Sequence, residues 1–181
     1  MVNFIRANLK RVIGTAIALF LIAAMFFTEM FFVGGYNGSG TQSDPYQISD
    51  CSDLQNIGNQ GDYSQHFIVV NDIDCSNFGN FDPIGGTHHS NHDVFDGTFD
   101  GQHHTIKGLT ISGDMARMGL FREVQAHGRV ENLRLSDVDI DNQDNYDKTG
   151  AIAGKSEGVF KDVHVEGTVQ SDGNKVGGIV G

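Results

Sequence analysis

The chain has 181 residues, 39% of them hydrophobic, with 24 glycines, two prolines and no tryptophan, and a formal net charge of −11. Glycine this frequent without proline excludes collagen, and the regular recurrence of Val, Ile and Phe excludes disorder. So acidic a chain has no electrostatic footprint for nucleic acid or an anionic membrane surface, which leaves cations, glycans and proteins as partners.

At the N-terminus Arg6, Lys10 and Arg11 precede an uncharged run from Val12 to Phe27. After Thr28 and Glu29 a second apolar patch, Met30 to Val33, leads into Gly34-Gly35. A basic flank, an apolar stretch and small residues afterwards describe a secretory signal, with Val33 and Gly35 at positions −3 and −1 of a cleavage site before Tyr36. Val12 to Val33 is also just long enough for an uncleaved signal anchor. Either reading puts a hydrophobic signal or anchor helix in 1–35, exports residues 36–181, and allows membrane contact only through the N-terminal segment. Cys51 and Cys75, an even pair in an exported chain, are expected to form a disulfide that acts as a structural staple.

From Phe95 onward one short phrase recurs. Thr105 to Ile111, Val130 to Ile140 and Val159 to Val169 each carry apolar residues in alternation with polar ones. Period-two alternation means strands with one buried face, and the spacing of three from Val130 to Leu133 and from Phe160 to Val163 predicts a corner in each turn. Gly101, Gly128 and Gly158 precede the three phrases, while Gly119, Gly150 and Gly177 lie between them. A repeat near 27–31 residues with two or three short strands and no helical periodicity predicts a right-handed parallel β-helix, an all-β solenoid. Glycines are expected where φ is positive or where neighbouring coils come close.

Gly150-Ala-Ile-Ala-Gly154, Val159 to Val169 and Val176-Gly-Gly-Ile-Val-Gly181 resemble the GLUG repeat of bacterial and archaeal surface proteins. The upstream part looks like the segment that precedes such repeats, through Gly38 to Ile48, Leu54, Asn71 to Asp74, Pro83-Ile-Gly85, Phe95 to Gly101 and His104 to Leu109. The resemblance covers 36–181. It implies a β-helical region of a secreted or surface-attached protein, adhesin-like, of a kind also found in non-catalytic parts of immunoglobulin-A metallopeptidases. Because the repeated phrase is interrupted at Gly181, the expectation is a C-terminally truncated solenoid whose edge is covered by further repeats or another chain.

For chemistry, the acidic residues stand out. Asp137, Asp139 and Asp141 should point outward from one strand, and Asp144 and Asp147 follow in a loop with Asn142, Gln143 and Asn145; clustered oxygens of this kind suit calcium. His88, His89 and His92 lie in a Gly/Ser/Asn loop and are read as solvated, with His104 as a corner residue. Asp96 and Asp100 are the pair that a polysaccharide-cleaving β-helix would use as acid and base, although Asp100-Gly101 also reads as a turn. Arg122, Arg129 and Arg134 are read as balancing Glu123 and Glu131. Tyr46, Tyr63 and Tyr146 are the exposed rings expected to stack on sugars. The resulting expectation is an extracellular or cell-surface scaffold without catalytic activity, structural or adhesive, contacting matrix glycans or proteins. The alternatives are the non-catalytic region of a secreted metallopeptidase and a carbohydrate-active enzyme.

Overall fold

The computed structural model describes residues 36–57, 63–85, 94–143 and 148–181. The signal or anchor helix expected within 1–35 lies outside the described residues. No helix among them is long and apolar enough to cross a membrane.

Alternation of apolar and polar residues produces fifteen short strands: β1 (Tyr46–Ile48), β2 (His66–Val69), β3 (Ile73–Asp74), β4 (Thr98–Asp100), β5 (Thr105–Lys107), β6 (Thr110–Gly113), β7 (Arg117–Met118), β8 (Phe121–Val124), β9 (Arg129–Glu131), β10 (Arg134–Asn142), β11 (Lys148–Gly150), β12 (Ala153–Ser156), β13 (Val159–Lys161), β14 (His164–Ser171) and β15 (Lys175–Gly177). All of their pairings are parallel. They form four sheets, in the orders β1-β2-β4-β9-β13, β14-β10-β5-β3 with β6 also on β10, β15-β11-β7, and β12-β8. The chain is therefore a parallel β-solenoid. Tyr46, Phe67, Phe99, Val130 and Phe160 stand in register, and the last three steps, of 32, 31 and 30 residues, make about three full turns.

Side chains on the inner faces stack in columns that run from coil to coil. Ile73, Ile106, Leu135 and Val165 form one, and Ile111, Ile140 and Val169 another. Ile84, Phe121, Ala153 and Val180 line up through single bridges and the β12–β8 pairing. Phe67, Phe95, Phe121 and Phe99 extend as a chain of tilted and edge-on rings with centroids 4.7–6.2 Å apart. On the last coil Phe160, Val163, Val165 and Val169 are partly buried, while Val159, Val176 and Ile179 are exposed.

The corners come out where the spacing of three puts them. Asn132 and Asp162, between Val130 and Leu133 and between Phe160 and Val163, sit in the left-handed region at φ 53° and 52°. A short polar side chain tolerates that conformation because it bonds locally. One glycine equivalence differs from the sequence reading. The residue stacked with Gly128 and Gly158 is Gly97, not Gly101, because Thr98, Arg129 and Val159 are register partners. These glycines provide clearance, not positive φ: a Cβ on Gly158 would lie 2.4 Å from the Gly128 carbonyl oxygen and 2.7 Å from that of Gln125.

The first coil carries an element that periodicity did not predict, the helix α1 (Cys51–Asn56). Asp50 caps it by accepting from the Asp53 N–H at 2.9 Å, and Asp53 in turn accepts from the Ser49 N–H and Oγ at 2.9 and 2.7 Å. Reciprocal capping of this kind makes a one-and-a-half-turn helix viable. It buries Cys51, Leu54 and, just past its end, Ile57 against the first turn. Cys51 is bridged to Cys75 with Cα atoms 5.6 Å apart, as expected. Tyr36 packs on Tyr46 and Phe67 and donates to the Asp53 carbonyl at 3.0 Å, and burial raises its phenol pKa far above the ordinary value.

Two outcomes follow for stability. Gly158→Ala forces a Cβ onto backbone atoms that cannot swing away, and calorimetry should show a loss of about 1–3 kcal/mol; Gly178→Ala, whose Cβ meets nothing within 4 Å, should melt like the parent. Reduction of Cys51–Cys75, or the double serine variant, should lower unfolding free energy by about 3 kcal/mol in denaturant titration, as loop closure over some 25 residues implies.

Candidate ligand-binding face

Parallel register turns separate outward residues into ladders on the sheet β1-β2-β4-β9-β13. One ladder is His66, Thr98, Arg129 and Val159, and the other is Gln47, Ile68, Asp100, Glu131 and Lys161. Neighbours in each are about 4.8 Å apart along the stack, the spacing of paired strands. Between them lies an open depression of about 400 Å³, lined by Gln42, Pro45, His66, Ile68, Thr98, Asp100, Arg129 and Glu131. Arg129 Nη1 donates to Glu131 Oε2 at 3.3 Å on this surface. Hydrogen-bonding groups of both signs beside small apolar patches suit a hydroxylated ligand that offers both donors and acceptors.

Aspartates at the strand ends fasten each coil to the next. Asp72 Oδ1 accepts from the Thr105 N–H at 2.8 Å and lies 3.3 Å from His104 Nδ1. Those two hydrogen bonds, the backbone one larger, hold the Asp72 carboxyl below its usual pKa. Asp74 is lowered in the same direction by the Ser76 hydroxyl and N–H. Asp96 accepts from the His127 N–H at 3.1 Å and faces the His127 ring at 3.3 Å. Asp100 Oδ1 accepts from the Gln102 N–H and from Asn132 Nδ2, both at 2.9 Å, and Gln102 Nε2 donates to its other oxygen. The Asp96 and Asp100 carboxylates thus bind two different corners of the next coil. His104 is the corner residue the sequence suggested.

A buried carboxylate lies one sheet away. Glu123 receives Lys155 Nζ at 2.7 Å, an Arg117 Nη1 donor and Gln125 Nε2 at 3.1 Å. Lys155 is its register partner and also reaches Glu157 at 3.0 Å; hydrogen bonding to Glu123 and then Glu157 raises the lysine pKa. The cations beside Glu123 are therefore Arg117 and Lys155, not Arg122, which is itself buried. The expected pairing of Arg129 with Glu131 holds.

The calcium candidates divide. Asp137 and Asp139 are exposed and Asp141 is half-buried on β10, so this row faces outward as predicted. Asp137 occupies a bulge: two residues, Ser136 and Asp137, stand where β14 has one, Asp137 has φ 50°, and Lys107 Nζ lies 3.5 Å from it. Asp139 and Asp141 are flanked in register by Thr110 and Thr168 and by Ser112 and Gln170, not by further acids. No three His, Cys, Asp or Glu side chains among the described residues are grouped to hold a metal. Asp144 and Asp147 lie outside the described residues, as do His88, His89, His92 and Tyr146. Asn142 is not a loop ligand but the fully buried end of β10, donating to the Met115 carbonyl at 2.8 Å and to Thr149 Oγ1 at 3.0 Å. Tyr63 is buried and Tyr46 packs between Tyr36 and Phe67, so neither is the free ring expected.

No family model matches the chain. Halomucin of Haloquadratum walsbyi is 38% identical over 157 residues, and a protein of Evansella cellulosilytica named as a Gly-rich membrane protein is 32% identical over 135 residues. These matches take in 82% and 71% of this chain but only 2% and 15% of the relatives' own lengths. A crystal structure of a Bacteroides ovatus protein named as an immunoglobulin A1 protease superposes with a TM-score of 0.59 at 18% identity, over 78% of this chain and 46% of that one. The solenoid fold is shared with it.

The coil fastening gives a pH signature. Because the Asp72 pKa is lowered on folding, its contribution is full above the unfolded value of 3.8 and is lost as pH falls through the folded one. Asp72→Asn should therefore lower Tm near neutral pH, and the deficit relative to the parent should shrink as the pH falls below 3.8 and vanish below the lowered folded-state pKa.

Proposed function

We propose that residues 36–181 are an exported, non-catalytic scaffold that contacts glycans through the depression on the β1-β2-β4-β9-β13 face. The observation that carries this reading is the ladder pair itself, which sets His66, Thr98 and Arg129 beside Ile68, Asp100 and Glu131 on a rigid sheet. Pre-ordered donors and acceptors recognise sugar hydroxyls with little ordering cost. The names of the relatives, a halomucin and a Gly-rich membrane protein, support a place at or outside the cell surface, as does the export segment read in 1–35. Apolar residues exposed on β13 and β15 are the surface on which a further coil of the same kind is expected to stack. The resemblance to GLUG-type surface repeats supports the same role.

A second reading is favoured by the fold shared with the protein named as an immunoglobulin A1 protease. In it the same solenoid is a non-catalytic part of a secreted peptidase, and the groove positions a glycosylated substrate.

The test uses the full chain against a panel of neutral and acidic polysaccharides. Binding should weaken about tenfold when Arg129→Ala or Ile68→Arg alters the depression, a change of the size expected for one removed hydrogen-bonded anchor. Unchanged affinity in both variants, with parental Tm, would refute the site. Release of new reducing ends from any bound polysaccharide would replace the scaffold reading with an enzymatic one.

A further inference from the structure

The corner that follows β4 is two residues longer than the corners stacked on it. Asp100, Glu131 and Lys161 are register partners, and so are Thr105, Arg134 and His164. Four residues separate Asp100 from Thr105, whereas two separate Glu131 from Arg134 and Lys161 from His164. The excess is taken up by Gln102 and His103, both left-handed at φ 49° and 62°. Two consecutive non-glycine residues in that region are costly and persist only where their surroundings hold them. Here Asp100 holds Gln102, and the His103 N–H donates to the Asn132 carbonyl at 2.8 Å.

This corner contributes His103 to a depression of about 430 Å³ lined also by Arg134, Asp162, Val163 and His164. Arg134 is exposed and has no ion-pair partner among the described residues, while Asp162 lies 3.9 Å from Lys161 Nζ. Arg134 and His164 are adjacent rungs of one ladder. An unpaired guanidinium presents a planar fork of donors that fits a carboxylate or sulfate in two-point contact, and the His103 and His164 imidazoles that line the same depression add donors. On a chain of net charge −11 the Arg134 guanidinium is a single local positive charge, which favours one anionic group held at close range over a densely charged polymer.

We propose that this depression is an oxyanion subsite that takes the carboxylate or sulfate of an acidic sugar, with Arg134 as the fork and His103 and His164 as flanking donors. It rests on the glycan reading above and adds the charge of the ligand. The two sites adjoin along the chain, since Asp100 and Glu131 of the groove lie three residues before His103 and Arg134. One oligosaccharide crossing the corner would touch both.

Calorimetric titration of the full chain with a galacturonate trimer, a neutral galactose trimer of the same linkage, and inorganic sulfate tests the assignment. The acidic trimer should bind at least tenfold more tightly than the neutral one. Arg134→Gln should abolish that preference, Arg134→Lys should keep part of it, and Arg129→Ala should weaken both sugars alike. An acid preference that survives Arg134→Gln overturns the subsite. So does sulfate binding as tightly as the acidic trimer, which would mark a site for a free ion. Equal binding of the two sugars, lost in Arg129→Ala, leaves the groove standing and removes this subsite, and binding of neither sugar removes both.

Discussion

Each turn of this solenoid can bury its apolar residues only against the turn before it, and that requirement organises everything else. A single coil has no second layer to cover its inner face, so Phe99, Val130 and Phe160 must stand over one another for any of them to leave water. Stacking in parallel register pairs the strand backbones of adjoining coils and sets a rise of about 4.8 Å per turn. At that spacing a side chain at a tight corner collides with the neighbouring backbone, which explains why glycine recurs at Gly97, Gly128 and Gly158. It also explains the role of polar residues at the other corners. Asp72, Asp96 and Asp100 each satisfy a donor on the following coil, so the hydrogen bonds that terminate one strand also position the next.

Much of this architecture was legible in sequence because it rests on local patterns. Alternation through Leu133–Ile140 and Val163–Val169 gave strands, and the interruptions at Asn132 and Asp162 gave corners whose left-handed geometry the structure carries. The even cysteine pair was sufficient for the disulfide. Features that depend on register were harder to read. Gly101 precedes a phrase just as Gly128 does, yet only the strand pairing shows that Gly97 is its counterpart. Glu123 meets Lys155 from 32 positions away because β8 and β12 stack, and nothing near Glu123 announces it. Helix α1 is too short for a period to appear, although Ser49-Asp50 ahead of Asp53 is a capping signature.

The candidate face shows the same division. His66, Thr98 and Arg129 belong to no motif and lie about thirty residues apart, so they become a site only through the coil repeat. Aligning Phe67, Phe99 and Val130 as one inward column would have exposed the ladder beside it. By contrast, the residues singled out for chemistry were singled out by local composition. Asp96 and Asp100 hydrogen-bond to the next coil, Asn142 is an internal bridge, and Tyr63 is part of the core. Local richness in oxygen atoms or rings says what a segment contains, not which way it faces.

The link between Cys51 and Cys75 also changes how the chain would carry a pulling force. Tension entering from the residues before α1 passes through the sulfur atoms directly to Cys75 and so to β3 and the sheet stacked on it. The 23 residues between the cysteines, roughly 80 Å of extended chain, stay out of the load path while the bond is intact. An oxidised molecule is therefore short and stiff at this end. A reduced one has that length in reserve.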